Sequence, residues 1–411
     1  MNRICMYTPS ASGGHAKYAR ELLTALTDAG GRRYAFELVT SEDLNPQFQS
    51  DAYDVHPILP RLRERHEFSC GPCWALSRVT HYARREMRLL KWLKTRPDIT
   101  AVHFQEWTPW LAAPLFRRLR RMGKKVYYTV HNVVPHRYPA RVPKALMHRW
   151  IRSACRETDG LFVHTEQLEH ELTRFLGGRA RGGPIPPISV VPHGVWTVPD
   201  ANDLTPLQQR LNEMKLLFFG TIRRNKGLDL LLKAALLLPP GYSITIAGYV
   251  LEREYFQNEV LPLIERVRAA GVRVDLIERF VSDEEAGALF QTHGSVVLPY
   301  APQFAAQSGV VFMALAYELP VIASEVGGLK DLLEQYKIGT TFAEFTPQAL
   351  ASALQALHAG GDATELLRHM RDAKQRFSWD AAARATLCGY AKAEEESTET
   401  HDCRVATTPA Y

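Results

Sequence analysis

The sequence predicts an α/β protein made of two doubly wound, parallel-sheet domains. Short apolar, β-branched or aromatic runs alternate with segments of helical periodicity along most of the chain. At 411 residues the chain exceeds what one hydrophobic core usually serves. The alternation lapses once, in the Pro-, Asp- and Asn-rich stretch WTVPDANDLTPLQQR after Gly194, which reads as an interdomain linker.

The first series opens with RICMYT (3–8), a short apolar strand. SASGGHAKYARELLTALTDAGG (10–31) follows. Its Gly13-Gly14 pair precedes a periodic face of Tyr18, Leu22, Leu23 and Leu26, and Gly30 stops the helix. YAFELVTS, TAVHFQ, KVYYTVH, GLFVHT and ISVVPHG then recur as strands, with helical patterns at 111–122, 145–157 and 166–176. A second series begins at Leu216 with LLFFG, SITIAG, RVDLIE, SVVLPY, PVIAS and a weak TTFAEF, with a helix over 252–269. The expected division is a first domain over 1–196, a linker over 197–214, a second domain over 215–376 and a helix over 377–394. The tail, 395–411, has little apolar content, which predicts disorder. Ligands of open parallel sheets bind outside the carboxyl ends of the strands.

Composition bounds the function classes. The 46% hydrophobic and 23% charged fractions are those of a soluble globular protein. No apolar run reaches bilayer-spanning length, and MNRICMYTPS has too short an apolar stretch for a secretory signal, so a cytoplasmic protein is expected. Charge is uneven: residues 1–196 hold 30 Lys+Arg against 17 Asp+Glu, and the remainder 20 against 27. The basic excess concentrates in RLRER (61–65), RREMRLLKWLKTR (84–96) and FRRLRRMGKK (116–125). The second interleaves cations with Met87, Leu89, Leu90, Trp92 and Leu93, which suits an amphipathic helix resting on an anionic membrane. It suits equally a solvated helix whose apolar side faces the core. No nucleic-acid module is visible.

Among six cysteines only Cys70-Gly71-Pro72-Cys73 forms a motif. C-x-x-C serves redox chemistry or metal, yet there is no second pair for zinc, and the upstream segment is charged and Pro-containing rather than a strand. Incidental spacing or a structural role is the expectation.

LLFFGTIRRNKGLDLLL (216–232) reads as a buried strand, a tight turn at Gly220 and a helix start. The turn brings backbone N–H groups, a helix dipole and the cations Arg223 and Lys226 to one point, which suits an anion of two or more charges such as a diphosphate. Alone, the same string also suits a surface corner with solvated cations.

The order of motifs resembles glycosyltransferase family 4, whose retaining enzymes have the GT-B fold of two doubly wound Rossmann-like domains facing a cleft. The residues that carry the likeness are SGGHAKYARELLTAL, TVHNVVPH (129–136), LFVHTE (161–166), VVPHG (190–194), FFGTIRRNKGLDLLL, ITIAG (244–248), FVSDEE (280–285), SVVLPY (295–300) and QSGVVFMALAYELPVIASEVGGLKDLL (307–333). FSWD (377–380) is similar to the point where the family's last helix crosses back to the first domain.

This likeness implies transfer of a sugar from a nucleotide-diphosphate sugar, a co-substrate rather than a cofactor, to a saccharide or lipid-linked saccharide. Arg223 and Lys226 match the phosphate-binding pair, where cations stabilise the charge that grows as the diphosphate leaves. Gly13 and Gly14 match a loop that approaches the phosphates through N–H groups, though a bare strand–helix turn also explains them. Gly220, Val281, Gln307, Ser308, Gly309 and Val310 fall at further donor-binding positions. His131 matches a histidine beside the reacting carbon, with His136 close enough to compete and assigned provisionally to the acceptor. His193 is expected to line the cleft, or else to be a hinge without ligand contact. Trp107 and Trp110, after the HFQ strand end, suit stacking on an acceptor sugar or simple core packing.

The chain departs from the family at a pair of glutamates eight apart. Their positions are held by Ala305 and Met313, neither of which can accept a hydroxyl hydrogen bond through its side chain. Gln307 is the nearest polar substitute, and the chain resembles a branch carrying Q-S-G there; Glu318 and Glu325 are out of register. No metal is implied, because no D-x-D stands at a strand end. Without a carboxylate pair for nucleophile and acid/base, the leaving phosphate is expected to take the acceptor proton, with retention. A nucleotide-sugar epimerase and a non-catalytic partner subunit of the same fold are the alternatives.

Overall fold

The structure is a computed structural model that describes residues 1–63, 67, 70–134, 142–177, 185–196, 198, 204–304, 308–359 and 363–405. It divides into two units, one of Met1–Gly194 with Ser378–Tyr411 and the other of Val195–Phe377.

The first unit carries β1 (Asn2–Thr8), α1 (Gly14–Gly30), β2 (Tyr34–Ser41), β3 (Asp54–Leu59), α2 (Gly71–Lys94), β4 (Ile99–Phe104) and α3 (Pro109–Arg121). It continues with β5 (Lys125–Thr129), α4 (Lys144–Arg156), β6 (Gly160–Val163), α5 (Glu166–Leu176) and β7 (Ile188–Val190). The seven strands among the described residues form one sheet in the order β3-β2-β1-β4-β5-β6-β7. Every pairing in it is parallel. Both faces are covered, so β1, β4 and β5 read as nearly continuous apolar runs rather than alternating ones. The β3 strand, DVHPIL, was not expected from the sequence. Pro57 argues against a central strand but is tolerated on an edge, and β3 is an edge.

The second unit carries α6 (Leu207–Asn212), β8 (Lys215–Phe219), a 3-10 turn (Arg224–Lys226), α7 (Leu228–Ala235), β9 (Ser243–Ala247) and α8 (Arg253–Tyr255). A π segment (Phe256–Val260) joins α8 to α9 (Leu261–Ala269), so the helix expected over 252–269 is interrupted by one wide turn. Then come β10 (Arg273–Ile277), α10 (Asp283–Thr292), β11 (Ser295–Leu298), α11 (Gly309–Ala316), β12 (Val321–Ser324), α12 (Leu329–Tyr336), β13 (Gly339–Phe342), α13 (Pro347–His358) and α14 (Ala363–Arg376). Six strands form a parallel sheet in the order β10-β9-β8-β11-β12-β13.

The stretch expected as a linker over 197–214 is in part structured. Its described portion holds α6, where Arg210 is 1% exposed and donates to the carbonyls of Phe290, Tyr317 and Glu318 at 3.3, 3.1 and 2.7 Å. Polar composition concealed a helix anchored by one buried guanidinium and by Leu207 and Leu211, which pack on Ala363.

The chain returns to the first unit as α15 (Trp379–Val405). Its Tyr390 is fully buried, and the phenol oxygen lies 2.5 Å from His103 Nδ1. Gly389 lets the helix close on β6: a Cβ there would stand 2.4 Å from Phe162. The helix runs through residues 395–405, where disorder was expected; a polar stretch continues a helix already nucleated by packing upstream. Residues 406–411 lie outside the described set. No helix among the described residues is long and apolar enough to cross a membrane.

Glu37, on β2, is wholly buried beneath the first sheet's edge and joined to Arg3 at 2.6 Å, Arg96 at 2.6 Å and His56 at 2.8 Å. Burial raises its pKa, but the Arg96 and Arg3 hydrogen bonds outweigh burial and hold its carboxyl below the ordinary 4.5. With the folded value depressed, this contribution is fully present above about pH 4.5 and is lost as pH falls through the folded value. Glu37→Gln is therefore expected to lower the stability of the first unit by roughly 1–3 kcal/mol at neutral pH, because it weakens the charged hydrogen bonds to Arg96 and Arg3, which both keep Asp98 as a partner. The deficit should shrink in acid, as followed by urea melts at several pH values.

Candidate functional site

In the second unit the chemistry gathers at the carboxyl ends of β8 and β11. Gly227, with φ +66°, follows the 3-10 turn and begins the approach to α7; a Cβ there would stand 1.8 Å from the Pro299 carbonyl oxygen. Only glycine fits both the left-handed backbone and that approach. The turn is thereby pressed onto the segment after β11, and Lys226 Nζ lies 3.6 Å from the centre of the Tyr300 ring and 4.4 Å from that of Phe304. The Tyr300 hydroxyl is 2.8 Å from Ser308 Oγ, at the N-cap of α11.

One aromatic ring thus connects the cation after β8 to a helix N-terminus. Ser308, Gly309 and Val310 stand at that terminus, and Ser308 gives its hydroxyl to Tyr300 rather than capping the helix. Gly220, with φ +112°, closes β8 with Val310 beside it at 3.9 Å from a built Cβ.

The two consecutive arginines have different fates. Arg224 pairs with Glu259 and stacks on Tyr255, and its N–H donates to Glu252. Arg223 is half-buried and close enough to Lys226 and Tyr300 to perturb both. Burial first, and Arg223 second, push the Lys226 ammonium down to about 7. A half-buried cation beside another cation, on an aromatic ring that reaches a helix N-terminus, suits an anion.

Other residues expected for the donor fare differently. Val281 is buried immediately before the Ser282 capping box of α10, and the 60% exposed ring beside it belongs to Phe280. Gln307, with the Ala305 position, lies outside the described residues. Met313 is buried in α11. Glu318 pairs with Arg371 at 3.1 Å, and Glu325 accepts from Lys330 and Thr341. Both carboxylates are thus engaged within the second unit.

In the first unit Gly13 is the N-cap of α1 with φ +81°, and nothing stands within 4 Å of a Cβ built at Gly13 or Gly14. His131 follows β5 within a group of imidazoles. Its Nδ1 is 3.1 Å from His164 Nε2, its Nε2 is 3.1 Å from the Gln105 amide, and its ring centre is 4.7 Å from that of His15. His193 joins through His164, ring centres 5.4 Å apart, and its Nδ1 donates to the Gly194 carbonyl at 2.8 Å. The Tyr18 ring lies between 5.2 and 5.3 Å from His131, His164 and His193. Burial drives His131 well below 6.5, His164 to about 4 and His193 to about 3, so all three are neutral at physiological pH.

A cavity of about 800 Å³ lies at the carboxyl ends of β1, β2 and β4, lined by Trp74, Arg78, Tyr82, Glu106, Trp107 and Trp110 among others. Trp107 is stacked on Tyr128 at 4.0 Å, so one ring face belongs to the core, while Trp110 meets Tyr82 and Trp150 edge-on. A second cavity of about 270 Å³ is lined by His15, Gln105, Glu106, Trp107 and His131. Glu106 and Trp107 border both, and Glu106 Oε1 is buried with no hydrogen-bond partner. His136 lies outside the described residues.

Cys70 and Cys73 form a disulfide at the start of α2, and Cys70 Sγ caps the helix by accepting from the Cys73 N–H. The amphipathic reading of α2 needs correction. Leu89 and Leu93 are buried in the core and Trp92 packs on His56, so the exposed apolar residues of α2 are Leu76, Val79 and Met87. Among the described residues one group has metal-like spacing, Glu37, Asp54 and His56, and its Glu37 is already held by two arginines.

Sequence reasoning missed His15, Tyr18, Gln105, His164 and the Tyr300–Phe304 pair. Gln105 and His164 do end strands, which is the signal that was available; Tyr18 looked like an ordinary core position of α1.

Two family models match the chain: that described as Glycosyltransferase Family 4 over residues 12–197, and that described as Glycosyl transferases group 1 over residues 213–359. The chain is a glycosyltransferase whose first half matches family 4. A D-inositol 3-phosphate glycosyltransferase of Xylanimonas cellulosilytica is 28% identical, covering 93% of this chain and 92% of that protein. Among solved structures, sucrose-phosphate synthase from Thermosynechococcus elongatus superposes with a TM-score of 0.71 at 19% identity, over 95% of this chain and 99% of that one. Anabaena HepE in complex with UDP gives 0.67 at 18% identity, over 95% and 100%. These likenesses give the transferase the GT-B fold.

Lys226 should titrate near pH 7 in the unliganded transferase. Methylating the lysines with a 13C label and following the signal that Lys226→Met removes is expected to show this midpoint, more than two units below ordinary lysines at 10.5.

Proposed function

We propose that this glycosyltransferase takes its sugar from a nucleotide-diphosphate sugar, with the diphosphate held by Arg223, Lys226 and the N-terminus of α11. The observation that carries this reading is the junction at Tyr300, which joins the half-buried Lys226 ammonium to Ser308. Arg supplies a two-pronged grip on phosphate oxygens, Lys a point charge, and the helix end its N–H groups. Because the leaving diphosphate gains charge as the glycosidic bond breaks, these groups favour the transition state over the ground state. The HepE structure, in complex with UDP, supports the donor class. In the first unit, His131 and His193 meet a sugar. Transfer proceeds with retention, the leaving phosphate accepting the acceptor's proton.

The acceptor, a saccharide or lipid-linked saccharide, occupies the larger cavity of the first unit. Trp110, Tyr82 and Trp74 offer ring faces and edges to a sugar, and the Glu106 carboxylate offers an unused acceptor for its hydroxyls. The exposed Leu76, Val79 and Met87 of α2 lie beside Arg84, Arg88 and Lys91, a combination that rests on an anionic membrane surface.

A thermal-shift screen with UDP, ADP and GDP and their sugars is expected to find one nucleotide that raises the melting temperature. Arg223→Ala should weaken its binding by about 10- to 100-fold, the value of a charge-assisted hydrogen bond of roughly 1.5–3 kcal/mol. Undiminished binding and transfer in that variant would remove the phosphate assignment. Separately, vesicles containing anionic lipid should sediment the protein in a salt-sensitive manner, and Leu76→Ser with Met87→Ser should reduce this. Equal sedimentation with neutral vesicles would count against the membrane surface.

A further inference from the structure

We infer that His164 is a positioning residue that holds His131 in a single neutral tautomer, with the proton on Nδ1 and Nε2 bare as a hydrogen-bond acceptor in the wall of the smaller cavity. The chain of reasoning starts at a backbone carbonyl. His164 Nδ1 stands 3.1 Å from the Val191 oxygen, and a carbonyl oxygen only accepts, so that Nδ1 carries a proton. A neutral His164 then has a bare Nε2. This Nε2 lies 3.1 Å from His131 Nδ1, which must supply the proton between them. His131, itself neutral, is left with a bare Nε2, 3.1 Å from Gln105 Oε1. Two acceptors do not stay in contact, so this tautomer requires the amide to turn half a revolution about its terminal bond and present its NH2 group instead.

Two other proton arrangements exist, and each costs more. If His131 carried its proton on Nε2, His164 would have to donate from Nε2. A neutral His164 would then present a lone pair to the Val191 oxygen, leaving a buried carbonyl unsatisfied. A doubly protonated His164 would satisfy both contacts, but it would be a cation in a buried cluster with His15, His131 and His193. Burial pushes its pKa to about 4. The amide rotation forfeits only the weak 3.6 Å contact of the Gln105 amide with the Met6 sulfur.

The consequence is a direction of recognition. A bare Nε2 accepts, so a sugar hydroxyl that displaces Gln105 must donate to it, and a sugar lacking a hydroxyl there forfeits the bond. This last step rests on the proposed contact of His131 with a sugar; the tautomer itself does not.

The test uses the full chain labelled with 15N-histidine and long-range 1H–15N correlation spectra, with the His131 signals identified by their loss in His131→Gln. His131 is expected in the Nδ1–H form in the wild type, which needs no variant to fold. In His164→Leu, which removes the acceptor, His131 should shift toward the Nε2–H form. His164→Gln, whose side-chain oxygen accepts where Nε2 did, should keep the Nδ1–H form. A wild-type His131 protonated on Nε2, or an unaltered tautomer in His164→Leu, overturns the inference. Transfer is measured with whichever of UDP-glucose, ADP-glucose and GDP-mannose the protein uses. His164→Leu should lower kcat/KM about five- to tenfold, the worth of one neutral hydrogen bond, and His164→Gln should recover it. A switched tautomer with unchanged kcat/KM overturns the contact of His131 with the sugar while supporting the positioning by His164.

Discussion

Both sheets of this transferase are parallel throughout their described strands, and the chemistry follows from that constraint. A parallel sheet sends every strand the same way, so every loop that follows a strand emerges at one edge. In the first unit that edge gathers Gly13 after β1, Gln105 after β4, His131 after β5 and His164 after β6. In the second it gathers Arg223 and Lys226 after β8, Tyr300 after β11 and Ser308 at the start of α11. The central strands are buried on both faces, and polar groups within the sheet such as Glu37 and His103 are already paired there, so groups left for a ligand stand at the strand ends.

Burial then sets the protonation states at those ends. The three imidazoles of the first unit are driven neutral by desolvation and by one another, so they work as hydrogen-bonding groups whose proton positions can be deduced from a carbonyl. In the second unit the same desolvation acts on Lys226, but an incoming anion would restore the full charge. One physical effect thus holds the imidazoles neutral in one place and brings a lysine into the neutral pH range in another.

The architecture was largely legible in the amino-acid order. Central strands such as β4 and β5 announce themselves as apolar runs, and α1 by its Tyr18, Leu22, Leu23 and Leu26 spacing. The edge strand β3 was not legible, because Pro57 and its half-exposed pattern resemble a loop until a neighbour pairs with it. The α6 helix was hidden in a polar stretch because its apolar face is only Leu207 and Leu211 and the rest of its anchor is one buried arginine. Residues 395–405 read as a tail because composition does not report that a helix has been nucleated upstream by Tyr390.

At the site, motif order alone singled out Arg223, Lys226, Gly13, Gly14 and His131, since each sits at a strand end beside a turn whose backbone only certain residues permit. Sequence could not say that Arg224 pairs with Glu259 whereas Arg223 lies beside Lys226, because the two arginines are chemically identical and adjacent. Nor could it join His131 to His164, 33 positions away, or Lys226 to Tyr300 and Tyr300 to Ser308. Local order determines which segments are strands and where polar groups can stand. Which of those groups share a proton or an aromatic face depends on strand order in the sheet, and that order is set by packing between residues far apart in the chain.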